Sequence, residues 1–225
     1  SLPSVIALVG PSGSGKNELA KRLERAGTGR IVHSYTTGTA DGIHQRLSAE
    51  EFKNKYEELQ KQGITSLIID LRNNGGGIVK EALEIADYIL NKDDVILYEV
   101  DKNDKETVEK STNDPIINMP IVVLTNGNTA SSSEILAGAL KDHGKATIVG
   151  EKTYGKGVIQ QLLTLPDGSG LKITSEEYLT PNKTKINGIG IEPDEQISLP
   201  DTVKNVLNVE EKDDTQLQKA IEMLK

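Results

Sequence analysis

The chain has 225 residues, no cysteine, and 34 acidic against 26 basic side chains, for a net charge of −8. That length can bury one sizeable core, or a core plus an appendage. The acidic balance excludes a nucleic-acid groove, which needs a basic stripe, and the absence of cysteine excludes disulfides and thiolate metal sites.

In chain order, Val5 to Val9 is an apolar run of strand length that ends in Gly10-Pro11-Ser12-Gly13-Ser14-Gly15-Lys16. Glu18 to Ala26 reads as an amphipathic helix stopped by Gly27, and Arg30 to Thr37 as a second strand. Phe52, Tyr56 and Leu59 recur at helical spacing, predicting a helix from Ala49 to Gln62 that ends at Gly63. Ile64 to Leu71 is nearly all apolar and predicts a strand buried on both faces. Gly75-Gly76-Gly77 turns it into a helix over Ile78 to Leu90. Val95 to Val100 predicts a strand, and Asp101 to Asp114 a polar excursion. Ile121 to Leu124 is another buried strand, which feeds the turn Thr129-Ala130-Ser131-Ser132-Ser133-Glu134 and a helix from Ser133 to Lys141. Strands and hairpins follow through Ile173, with a turn at Asp167-Gly168. Glu210 to Lys225 is a charged, weakly amphipathic helix. Alternating strands and helices make the class α/β. No apolar run approaches the roughly 20 residues that span a membrane, and Ser1 to Gly10 has no signal-peptide pattern.

Two separated segments carry chemistry together. The turn at Ser131 places a serine at a helix start, where serine alone reads as a cap for the first free N–H groups. The same place suits a nucleophile, because those N–H groups also sit where an oxyanion would form. Tyr154-Gly155-Lys156-Gly157 sets one lysine between glycines, with Gln160 four residues on. A serine needs a base to attack at neutral pH, and a neutral lysine can supply it. Burial between tight turns would keep the amine neutral, and flanking glycines permit that close approach. His33, His44 and His143 sit in no motif that would orient a Ser-His-Asp triad and have no paired metal-ligand spacing.

From about Ala49 to Asp194 the chain resembles the catalytic core of the C-terminal processing (tail-specific) peptidases. The resemblance rests on Leu67-Ile68-Ile69-Asp70-Leu71-Arg72-Asn73-Asn74-Gly75-Gly76-Gly77, the stretch Thr129 to Leu140, Val149 to Gly157, Leu179-Thr180-Pro181 and Gly190-Ile191-Glu192-Pro193-Asp194. It implies a crotonase-like core of stacked ββα units. It also implies Ser131 as nucleophile, Lys156 as general base and Gln160 as the group that orients the amine. Backbone N–H groups near Gly76 and at Ser132 would form the oxyanion hole, and Asp142 would be structural support. No cofactor or metal is required. The substrate would be a polypeptide cut near its C-terminal tail, and relatives are often exported to the cell envelope. The family carries a proline where this chain has Gly75. It also carries a peptide-binding PDZ module, which is not found in this sequence, so an activating or substrate-delivering partner would take its place.

Gly10, Gly13, Gly15 and Lys16 fit a phosphate loop, G-x-x-x-x-G-K, between a strand and a helix. With Ser34 to Thr37 and Asp41 to His44, the segment resembles the start of a guanylate-kinase-type enzyme. Asn17 replaces the hydroxyl that would hold Mg²⁺, Gly38 stands at an arginine position and Gln45 at a tyrosine position, so kinase turnover is not expected, and a nucleotide or phosphate at Gly10 to Lys16 stands as an alternative. The chain therefore divides into a phosphate-loop-like β-α-β segment (1–48), a peptidase core (49–200) and a helical tail (201–225). One continuous sheet would join the first two. The alternatives to a peptidase are a nucleotide- or phosphate-binding protein and a non-catalytic chimeric scaffold.

Overall fold

The computed structural model describes residues 4–8, 31–35, 49–206 and 209–225. Six strands form one parallel sheet in the order β10-β7-β6-β3-β1-β2. These are β1 (Ser4–Leu8), β2 (Ile31–Tyr35), β3 (Leu67–Asp70), β6 (Ile121–Thr125), β7 (Ala146–Gly150) and β10 (Glu195–Gln196). Four antiparallel strands form the second sheet, in the order β5-β4-β9-β8: β4 (Val95–Asp101), β5 (Glu106–Lys110), β8 (Val158–Thr164) and β9 (Gly170–Leu179). Because β1 pairs with β3 from Ser4↔Leu67 to Ala7↔Asp70, the N-terminal strands and the core share the continuous sheet expected from the sequence.

The apolar runs of β3, β6 and β7 have a simple origin. Their odd-numbered side chains Leu67, Ile69, Ile121 and Val123, together with Ile148, join the main core beneath three helices. Those helices are α1 (Ala49–Lys61), α2 (Val79–Ile89) and α3 (Ser132–Asp142). The alternate side chains Ile68, Val122, Leu124 and Val149 point to the other face, against Leu217, Ala220 and Ile221 of α4 (Thr215–Met223). A strand covered on both faces has no polar side to show, which is why alternation is missing from its sequence. Each large aliphatic buried on either face contributes about 1.5–3 kcal/mol.

The polar excursion over Asp101 to Asp114 contains β5, an edge strand paired with β4. Its exposed Glu106 and Lys110 and half-buried Glu109 follow from its place at the edge, where charge discourages pairing with another chain, and they hide the strand from an apolar pattern. The tail helix begins later than the sequence suggests: Glu211–Asp213 is a 3₁₀ turn, and Asp214 caps α4 by accepting from the Leu217 N–H at 3.0 Å. No helix among the described residues is long and apolar enough to cross a membrane.

Candidate active site

Ser131 sits between β6 and α3 with φ 57° and ψ −122°. A non-glycine residue in this region is strained by about 1–3 kcal/mol and persists only where its surroundings hold it there. A serine on a sharp strand-to-helix turn is lifted clear of its neighbours, which is what a nucleophile requires. Thr129 anchors the turn from below: its hydroxyl donates to the Leu71 carbonyl at 2.8 Å and accepts from the Asn126 N–H at 3.1 Å.

The loop after β3 is bound to this turn along its length. The Ala130 N–H donates to the Asn74 carbonyl at 3.0 Å, and the Gly77 N–H to the Ser132 hydroxyl at 2.8 Å. Gly76, at φ 90°, lies so close that a Cβ there would come within 2.8 Å of the Ala130 carbonyl and of Ser131 Cβ, and 3.0 Å from Ser132 N. Only glycine fits this approach at positive φ. The two expected oxyanion donors are thus brought together, although the Gly76 N–H donates to Asn74 Oδ1 at 3.0 Å. Ser132 is the first residue of α3, where helix geometry provides no intrahelical acceptor for its N–H.

Glu134, which closes the serine turn, has a role that the motif alone does not assign. It is fully buried, and its carboxylate accepts four donors. One oxygen takes the backbone N–H groups of Ser131 and Lys156, both at 2.9 Å; the other takes the Gly155 N–H and the Thr153 hydroxyl, both at 2.6 Å. One side chain therefore fixes the Ser131 backbone and the lysine loop to each other. The Ser-x-x-Glu spacing of a helix-start capping box is the signal that could have singled it out.

Lys156 and Gln160 lie on the wall of an open cleft of about 540 Å³, which is also lined by Gly75, Asn128, Ala130 and Tyr154. Gly157 allows the lysine loop to pass close to the chain near Asn187, since a Cβ there would fall 2.6 Å from Asn187 N. Both Lys156 and Gln160 are exposed, so the burial expected around the amine is not a product of this chain's own packing. The tight turns hold the lysine backbone while the side chain extends into the cleft. No hydrogen bond joins the Ser131 hydroxyl to the Lys156 amine among the described residues; both residues are tied through their backbones.

The histidines are placed elsewhere. His143 ends α3, with Nε2 2.6 Å from the Val95 carbonyl, so the 11-residue helix separates it from Ser131. His33 lies in β2, and His44 is outside the described residues. Asp142 accepts the Asn182 N–H at 2.9 Å, a structural contact as expected. Among the described residues no group of His, Asp and Glu could hold a metal ion. The phosphate-loop residues Gly10, Gly13, Gly15 and Lys16 lie outside the described residues.

With this geometry in place, comparison with known proteins decides the family. The model of Peptidase family S41 matches residues 13–197. The chain belongs to this peptidase family. The S41 match begins inside the Gly10 to Lys16 segment and runs through both sheets to β10. A carboxyl-terminal-processing protease of Picosynechococcus sp. is 46% identical over 147 residues, 65% of this chain and 35% of that protein. Another, of Synechocystis sp., is 39% identical over 175 residues, 78% of this chain and 40% of that one. The solved photosystem II D1 C-terminal processing protease superposes with a TM-score of 0.63 at 37% identity, over 71% of this chain and 42% of its own. A lipoprotein from Streptococcus agalactiae shares the fold, with a TM-score of 0.57 at 21% identity over 80% of this chain and 62% of its own. This S41 chain spans about a third of the length of the curated relatives it matches.

Proposed function

We propose that the chain carries the catalytic core of a serine endopeptidase that cuts polypeptides near their C-terminal tail through a Ser131–Lys156 dyad. The observation that carries this reading is the left-handed strand-to-helix turn at Ser131, joined through buried Glu134 to the loop that sends Lys156 into the cleft. Similarity to carboxyl-terminal-processing proteases supports the substrate class.

In the proposed reaction Lys156 Nζ takes the proton from Ser131 Oγ as Oγ bonds to the scissile carbonyl carbon. The Ser132 N–H, at the positive end of α3, and the Gly76 N–H, once it leaves Asn74, stabilise the oxyanion. Collapse breaks the C–N bond, and the Lys156 ammonium returns the proton to the departing amine. Water then attacks the acyl-enzyme with Lys156 again as base, releasing the new carboxyl terminus and restoring Ser131. Gln160, on the same wall, orients the amine without adding charge. Because Lys156 is exposed in the open cleft, it is substrate lying across the cleft that would cover the amine from solvent.

The test is digestion of an unfolded polypeptide such as casein by the parent protein and by Ser131→Ala, followed by mass spectrometry. Cleavage by the parent that is lost in Ser131→Ala is the expected result. Equal cleavage by both would reject Ser131 as the nucleophile.

A further inference from the structure

Arg72 lies in the loop that leads from β3 to Gly76, and its side chain points away from the cleft. All five of its guanidinium donors are used, on two buried carboxylates and one buried amide. Nε and Nη2 donate to Asp70 at 3.0 and 2.9 Å. Nη1 and Nη2 donate to Asp214 at 2.8 and 3.1 Å, and Nη1 also donates to Gln216 Oε1 at 3.1 Å. Asp214 and Gln216 belong to the start of α4, 142 and 144 positions further along the chain. A second tie runs beside the first. Asn73, at φ 61°, donates from Nδ2 to the Val206 carbonyl at 3.1 Å, while its Oδ1 accepts from Asn126 and Asn128 at 2.9 and 3.1 Å. Arg72 is therefore held from the C-terminal side, Asn73 from both sides, and Asn74 to Gly77 from the side of the Ser131 turn.

An ion pair buried this completely adds little net stability, because desolvation offsets most of its attraction; what it does supply is a single geometry. The geometry here is that of the loop whose Gly76 lies against Ser131. We propose that the C-terminal segment is a positioning element of the active site: Asp214 and Gln216 fix Arg72, Val206 fixes Asn73, and together they set the loop that presents Gly76. The inference rests on the Ser131 reading for its catalytic meaning, but the coupling itself is a physical property that can be measured without turnover.

Asp214→Asn is the variant of choice, since asparagine caps a helix as well as aspartate does and so spares α4 while weakening the hold on Arg72. Asn73→Gly is the second, because glycine keeps the positive φ while removing the Val206 tie together with those to Asn126 and Asn128. Hydrogen exchange read by mass spectrometry is expected to speed up over residues 72–78 by about tenfold in Asp214→Asn, with β6 and α4 protected as in the parent. In the same variants kcat for a small p-nitrophenyl ester falls by about tenfold with KM within about twofold, as for a group that acts in the transition state. Unchanged exchange over 72–78, or a rise spread equally over α4 and β6, overturns the proposal and leaves α4 a stabilising element only. Ester turnover that survives Ser131→Ala would instead remove the dyad reading, and the exchange result would still decide the coupling.

Discussion

The two halves of the proposed dyad are built in opposite ways. Ser131 is a strained residue locked by buried Thr129 below and buried Glu134 behind, with half-buried Gly76 alongside. Lys156 shares the Glu134 anchor through its backbone, but its side chain stands exposed beside Gln160 on an open wall. The proposed nucleophile is thus positioned by the fold, and the proposed base is left free until the cleft is covered. Substitutions on the serine side should cost both stability and rate, whereas those on the lysine wall should cost rate alone.

The largest effect expected is on the lysine wall. Lys156→Met should lower kcat on casein by about 10³-fold, the scale of a lost general base. The same change should leave the thermal midpoint nearly unchanged, because an exposed substitution typically stays within about 0.5 kcal/mol. A large fall in the midpoint would end the contrast. Glu134→Ala should behave in the opposite manner, leaving four donors without an acceptor in a buried site. Guanidinium titration should show a loss of about 3 kcal/mol or more, with kcat falling as well. A smaller effect is expected from Gly157→Ala, whose new methyl must displace the backbone near Asn187 at a cost of about 1–3 kcal/mol. If its kcat falls more than its stability, the lysine loop needs its backbone placed as closely as the serine turn does.

The weakest prediction concerns pH and the antiparallel sheet. Burial, a hydrogen bond with Glu176, and the charges of Glu176 and Glu109 push the Glu99 carboxyl up to about 7 from 4.5. Because the folded protein then holds a proton that the unfolded chain has released, stability should decline from about pH 4.5 to about pH 7 and level off above it. Glu99→Gln should flatten that slope, by less than about 2 kcal/mol given the partial exposure of the site. A slope that persists in Glu99→Gln would assign it to other carboxylates.

Much of the architecture was legible in the order of residues. Phe52, Tyr56 and Leu59 mark α1, and all three are buried where their spacing placed them. The apolar runs at Leu67 to Asp70 and Ile121 to Thr125 became central strands, because a strand covered on both faces leaves that signature. β5 was not legible, since an edge strand exposed to water carries charge in place of alternation. Nor was the role of Glu134: its spacing to Ser131 is local, but the Thr153 to Lys156 loop it receives arrives from the other side of β7.

By itself, then, the sequence determined the α/β class, the serine at a helix start and the lysine between glycines, because each is written in short-range spacing and residue type. Tertiary structure alone decided that Ser131 is strained, that Glu134 joins the two motifs, that Arg72 is held by Asp214 from 142 positions away, and that Lys156 stands in the open. Those facts depend on which surfaces pack and which remain in water. Packing between distant segments is settled by the burial of the whole chain, which no local pattern records.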